Sequence, residues 1–107
     1  MLTKRAAEIL DLMLEAEMRQ DYEGAEIVCD GLSCYLGEML VSRRTVTNLI
    51  RHVAVSLASE PGGMERYTVS GTGRKIAADP SVADRIVAAL EAGIACDESG
   101  NPIPRIS

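Results

Sequence analysis

The sequence predicts a mainly α, α+β fold in one domain, ordered helix, possible short strand, short helix, long helix, β-hairpin, helix. Three observations carry this expectation. Apolar residues recur at helical spacing over 3–19, 42–58 and 80–92. Between the last two stretches, after the breaker SEPGG at 59–63, the pattern shortens to a period of two around glycines 71 and 73. The chain has 107 residues, 47% hydrophobic and 25% charged, which suits a single globular domain with a modest core. Phe and Trp are absent, so Leu, Ile, Val, Ala and Met must fill that core.

Each element has its own signals. From Thr3 to Arg19, Ala6, Ile9, Leu10 and Met13 form one apolar stripe of an amphipathic helix. QDYEG reads as a turn, and AEIVC at 25–29 as a short strand or the lead-in to a helix. Asp30 or Ser33 can cap a short helix to about Met39, with Leu32, Tyr35, Leu36 and Met39 inward. Ser42 caps the long helix, whose inner face is Val46, Leu49, Ile50, Val53 and Leu57.

Beyond the breaker, residues 65–78 read as a hairpin: strand Glu65 to Val69, turn SGTG, strand Arg74 to Ala78. Gly71 and Gly73 supply positive φ in this reading. Asp79 caps the last helix with Pro80 at its first position and Gly93 as its stop, and Val82, Ile86, Ala89 and Leu90 as its stripe. Residues 1–93 thus make the domain, and 94–107 a tail or small hairpin.

The net charge of −5 is unevenly spread. Residues 1–41 hold three basic and nine acidic side chains, 42–78 six and two, and 79–107 two and five. The middle third is therefore +4 in an acidic chain. Because screening acts over about 8 Å at physiological salt, a docked polyanion would feel mostly this local charge. A low pI does not exclude nucleic acid, but it predicts salt-sensitive non-specific affinity.

The stretch MLVSRRTVTNLIRHV, in this element order, resembles the turn and recognition helix of winged helix-turn-helix regulators from bacteria and phages. The pattern departs from that family at Leu36 and Leu40, where a small residue and a glycine are usual, although Gly37 can supply space. The resemblance implies sequence-specific binding of double-stranded DNA by a transcription regulator, with helix 42–58 in the major groove and hairpin 65–78 as the wing.

Helical geometry places Arg43, Thr47 and Arg51 in one row and Arg44, Asn48 and His52 in the next, with no acid among them. Arginine can grip guanine O6 and N7, and asparagine adenine N6 and N7. Ser42 and the free N–H groups beside it suit a phosphate. The blander reading is a solvated helix surface on a domain that binds something else. At the wing tip, Thr72, Arg74 and Lys75 either touch the DNA backbone or are ordinary solvated turn residues. SGTGRK lacks the spacing and the final Ser/Thr of a phosphate-binding P-loop.

No catalytic constellation, metal site or cofactor motif is expected. The one histidine has no nucleophile partner, and the carboxylates Glu8, Asp11, Glu15 and Glu23 are spaced as a solvated face. Cys29, Cys34 and Cys96 read as reduced thiols, either buried and inert or sensitive to oxidation. The absence of a long apolar run predicts no membrane span or signal peptide and a cytoplasmic location. The stripes of helices 3–19 and 80–92 either complete the monomer core or pair across a two-fold axis in a homodimer. The competing function is a protein-interaction module that does not bind DNA, such as a phage inhibitor or an assembly factor.

Overall fold

The computed structural model describes residues 1–59 and 61–104. It is an α+β fold in which helices α1 (Lys4–Met18), α2 (Arg43–Arg51), α3 (Gly71–Ala78) and α4 (Ser81–Ala92) accompany one five-stranded sheet. The strands are β1 (Ile27–Asp30), β2 (Ser33–Leu36), β3 (Met39–Val41), β4 (Val55–Ser59) and β5 (Met64–Val69). They are antiparallel throughout and run β3-β2-β1-β5-β4 across the sheet.

Helix α1 follows its expected stripe. Thr3 Oγ1 accepts the Ala6 amide at 3.2 Å as N-cap, and Ala6, Ile9, Leu10, Met13 and Ala16 are buried. AEIVC delivers the strand β1, in line with the strand alternative for that stretch.

The short helix expected over 30–39 does not form; β2 and β3 occupy its place. Two-residue loops close both hairpins, Gly31-Leu32 and Gly37-Glu38, and each begins on a glycine of positive φ, +63° and +61°. Burial alternates with a period of two: Ile27, Cys29, Cys34, Leu36 and Val41 point inward, while Leu32, placed inward by the helical reading, is 89% exposed. Of the four apolar residues assigned to a helix face, only Leu36 is buried; Tyr35 points to the other side of the sheet and Leu32 lies in the loop, and the two glycines decide for hairpins.

The long helix expected to Leu57 stops at Arg51, and Val55–Ser59 forms the edge strand β4. Only the first half of the expected inner face is buried, in Val46 and Leu49; Ile50, Val53 and Leu57 are exposed. At the helix end the amide of Val53 donates to Ile50 O and that of Ala54 to Leu49 O, both at 2.9 Å. This is the Schellman closure, with Val53 in the left-handed region at φ +57°. A β-branched residue stands where glycine is usual, so the sequence hides the stop.

The hairpin expected over 65–78 is also corrected. Its first strand is β5, but β5 pairs with β1 and β4, and SGTGRKIAA opens and forms α3. Ser70 Oγ caps α3 by accepting the Gly73 amide at 2.9 Å. Gly71 and Gly73 take helical rather than positive φ. Gly73 is required for another reason: a Cβ there would collide with the Ala54 carbonyl. The hairpin that does form is β4–β5, directly after α2.

Helix α4 forms where expected but starts one residue later, at Ser81, with Pro80 rather than Asp79 at the N-cap. Asp79 Oδ1 accepts from the Ser81 amide and hydroxyl, at 3.1 and 2.7 Å, and Gly93 ends the helix at φ +68°. Val82, Ala83, Ile86 and Ala89 are buried, whereas Leu90 is exposed. The tail folds back as a small hairpin, with a bridge between Cys96 and Pro102.

One core joins all these elements: Ile9, Leu10 and Met13 of α1 pack with Ile27 and Leu36 of the sheet, Leu49 of α2, Ile76 of α3 and Ile86 of α4. The stripe of α1 and, apart from Leu90, that of α4 are thus consumed within the monomer. Among the described residues no helix is long and apolar enough to cross a membrane.

Candidate nucleic-acid interface on the second helix

Helix α2 is held by its first turn. Ser42 Oγ accepts the Thr45 amide at 3.2 Å and hydrogen-bonds Thr45 Oγ1 at 2.9 Å, so this hydroxyl caps its own helix. Each i to i+4 step overshoots a full turn by about 40°, so a row of side chains drifts around the helix. The row Arg44, Asn48, His52 drifts from solvent into the core. Arg44 is exposed, Asn48 is half-buried with its Oδ1 accepting the Thr3 amide at 3.0 Å, and His52 is only 2% exposed. The row Arg43, Thr47, Arg51 drifts the other way, from half-buried to exposed.

His52 is therefore a packing residue and not part of an outer face. Its Nδ1 donates to Asn48 O at 2.8 Å, while Nε2 is buried without a hydrogen-bond partner among the described residues. A buried acceptor in that state costs about 1–3 kcal/mol. Its place at the helix end is fixed by the Schellman turn that follows.

Arg43 begins a polar chain that the sequence did not announce. Its Nη1 and Nη2 both donate to Glu65 Oε1 at 3.2 Å, and Nη1 lies 3.7 Å from Cys34 Sγ. Glu65 Oε2 accepts the Tyr67 hydroxyl at 2.9 Å. The Cys34 sulfur, and then Glu65, raise the Arg43 pKa against the opposing effect of burial, so the guanidinium stays charged. Burial first, then Glu65, push the Tyr67 phenol up to about 12. Glu65 and Tyr67 lie more than twenty residues from Arg43, and no local spacing could have paired them.

The acids missing from α2 itself are supplied by other elements. Arg51 meets Glu91 of α4 at 3.7 Å. Arg74, expected at a wing tip, lies on α3 and pairs with Glu17 of α1 at 2.7 Å. Thr72, also expected at that tip, is buried on α3, and Lys75 is exposed on it. The ten expected contact residues thus divide. Ser42, Arg44, Thr47 and Arg51 share the exposed side of α2, and Arg43 and Asn48 are half-engaged in tertiary bonds. His52 and Thr72 are interior, and Arg74 and Lys75 belong to a different helix.

The bond from Thr3 to Asn48 seats the start of α1 against α2, next to the exposed Lys4, while Arg5 pairs with Glu8 at 3.3 Å. Between α1, α3 and α4 lies an apolar cavity of about 350 Å³, lined by Leu2, Leu10, Ile76 and Pro80 with Asp11 and Asp84 as its acidic side chains. Among the described residues no three His, Cys, Asp or Glu side chains gather as metal ligands. Comparisons with protein-family models, curated proteins and solved structures give no match to this chain.

Proposed function

We propose that the chain binds double-stranded DNA as a small transcription regulator of winged-helix type, with α2 as the recognition helix. The wing in this reading is β4–β5. The observation that carries the proposal is the outward side of α2, where Arg44, Thr47 and Arg51 are exposed and no acidic residue occurs in the helix. Arg44 has no ion-pair partner among the described residues. The Arg51–Glu91 pair is exposed on both sides, so a phosphate or guanine can displace the glutamate at little cost. Arg44 and Arg51 are the side chains for guanine edges or phosphates, Thr47 contacts a base or the backbone, and Lys4 reaches phosphate.

A mobility shift on a pool of random duplexes, at low and moderate salt, tests this reading. The double variant Arg44→Ala/Thr47→Ala removes two exposed side chains and leaves the fold intact. A shift by the wild type, weakened about tenfold or more in the variant, is expected. No shift on any duplex, or one that the variant leaves unchanged, overturns the proposal.

A second reading, a protein-interaction module without DNA binding, is favoured by one observation. Arg43, Arg51 and Arg74 are each neutralised by a glutamate from another element. In that reading the partner is a basic protein facing the acidic remainder of the surface, and the mobility shift is absent.

Homodimerisation remains part of the DNA reading, with a different seat. The α1 and α4 stripes are spent in the core, but Leu90 and Ile94 at the end of α4 are exposed beside Val53. We propose this apolar patch as the two-fold contact.

A further inference from the structure

The two buried cysteines of the β1–β2 hairpin are aligned with each other. Cys29 and Cys34 are direct cross-strand partners, 1% and 0% exposed, and both face the core. Asp30 and Ser33 close the two-residue loop as a hydrogen-bonded pair. In an antiparallel ladder such pairs alternate with non-hydrogen-bonded ones, so Cys29 and Cys34 form the non-hydrogen-bonded pair. Cα atoms in that class of pair stand about 4.5 Å apart, inside the range that a disulfide spans without backbone movement. Their cross-strand row continues through Glu65, whose carboxylate holds Arg43 against Cys34 Sγ at 3.7 Å.

We propose that Cys29 and Cys34 are a redox site, a dithiol that hydroperoxides convert to an intrahairpin disulfide, with Cys34 as the attacking thiol and Cys29 as the resolving one. The assignment follows from the surroundings of each sulfur. Arg43 sets its guanidinium 3.7 Å from the Cys34 sulfur, the one of the two sulfurs that a cation touches. Burial first, and the Cys34 sulfur second, push the Cys29 thiol up to about 12, so Cys29 waits as a thiol. The guanidinium over Cys34 is itself 41% exposed, and the proposal requires it to swing aside to admit a small peroxide.

In the first step the Cys34 thiolate attacks the outer peroxide oxygen. An S–O bond forms, the O–O bond breaks, and the alkoxide or hydroxide leaves and takes up a proton, giving a sulfenic acid. In the second step Cys29 sulfur gives up its proton and attacks the Cys34 sulfur, forming S–S as S–O breaks and water leaves. Two thiols are oxidised by two electrons, and the hydroperoxide is reduced to alcohol or water, and water.

The site stands on the hairpin register and does not depend on the DNA reading. The test treats the folded, reduced protein with hydrogen peroxide, blocks remaining thiols and maps tryptic peptides. Cleavage at Arg19 and Arg43 leaves both cysteines in one peptide, 20–43, separate from Cys96. Loss of two hydrogens from that peptide, with Cys96 still alkylated, is expected. The reaction should slow about tenfold in Arg43→Ala and stay within about twofold of wild type in Arg43→Lys, since a positive charge beside the Cys34 sulfur favours its attack. Three outcomes overturn the proposal. They are full alkylation of Cys29 and Cys34 after peroxide, sulfinic or sulfonic acid without a disulfide, and equal rates for wild type and Arg43→Ala.

Discussion

Val53 shows what a single residue costs when it holds a backbone conformation that suits another. Its left-handed φ closes α2 and turns the chain into β4, and a non-glycine residue there costs about 1–2 kcal/mol. The strain is held in place by the Ser70 hydroxyl, which donates to the Val53 carbonyl. Because Val53 is 40% exposed, its side chain returns little by packing. Val53→Gly is therefore expected to raise stability by about 1 kcal/mol in urea denaturation, an unusual sign for a glycine substitution. Gly73 behaves oppositely. Gly73→Ala drives a methyl group into the Ala54 carbonyl, and a loss of about 1–3 kcal/mol is expected by the same measurement.

At the scale of elements, legibility followed the competition between periods. Helices α1 and α4 were readable because a helical stripe, a capping group and, for α4, a stop glycine agree, and their ends fall within about two residues of expectation. The segment 30–41 was not, because Leu32, Tyr35, Leu36 and Met39 satisfy helical spacing while the strand alternation is split among three short pieces. Gly31 and Gly37, six residues apart, were the available signal. SGTGRK failed in the reverse direction: a serine cap followed by glycines looks like a turn, and only the packing of Ile76 and the approach of Ala54 reveal a helix. Of the candidate site, the outward residues of α2 were legible from helical geometry. The tertiary acids Glu65 and Glu91 were not, since sequence distance hides them. If the β1–β2 turn needs its positive φ, Gly31→Ala should cost about 1 kcal/mol in thermal or urea unfolding, although no atom stands near the new methyl.

For the whole molecule, the basic middle third is distributed by folding. Its positive charge is matched internally on the Arg43 and Arg74 sides and left open at Arg44. Alkaline stability reports on the buried polar chain. The fold raises Cys29 from its ordinary 9.0, and Tyr67 from 10.0, to about 12, so it keeps protons that the unfolded chain releases. Stability should be complete below about pH 9 and fall as the pH climbs toward 12, a loss that denaturant midpoints at pH 8, 10 and 11 would register. Tyr67→Phe should flatten the upper part of that decline. In sedimentation equilibrium, a dimer built on the α4 end should weaken on Leu90→Glu, and an unchanged association constant would remove that contact.

DNA binding by this chain requires that the outward side of α2 be the surface that meets the duplex. The most direct measurement is a titration of uniformly ¹⁵N-labelled protein with a short duplex selected for binding, followed by amide chemical shifts. The account predicts saturable shifts concentrated at Arg44, Thr47, Asn48 and Arg51, with a second set in β4–β5 and at Lys4. Shifts absent from α2, or confined to the outer sheet face around Tyr35 and Leu40, would contradict it.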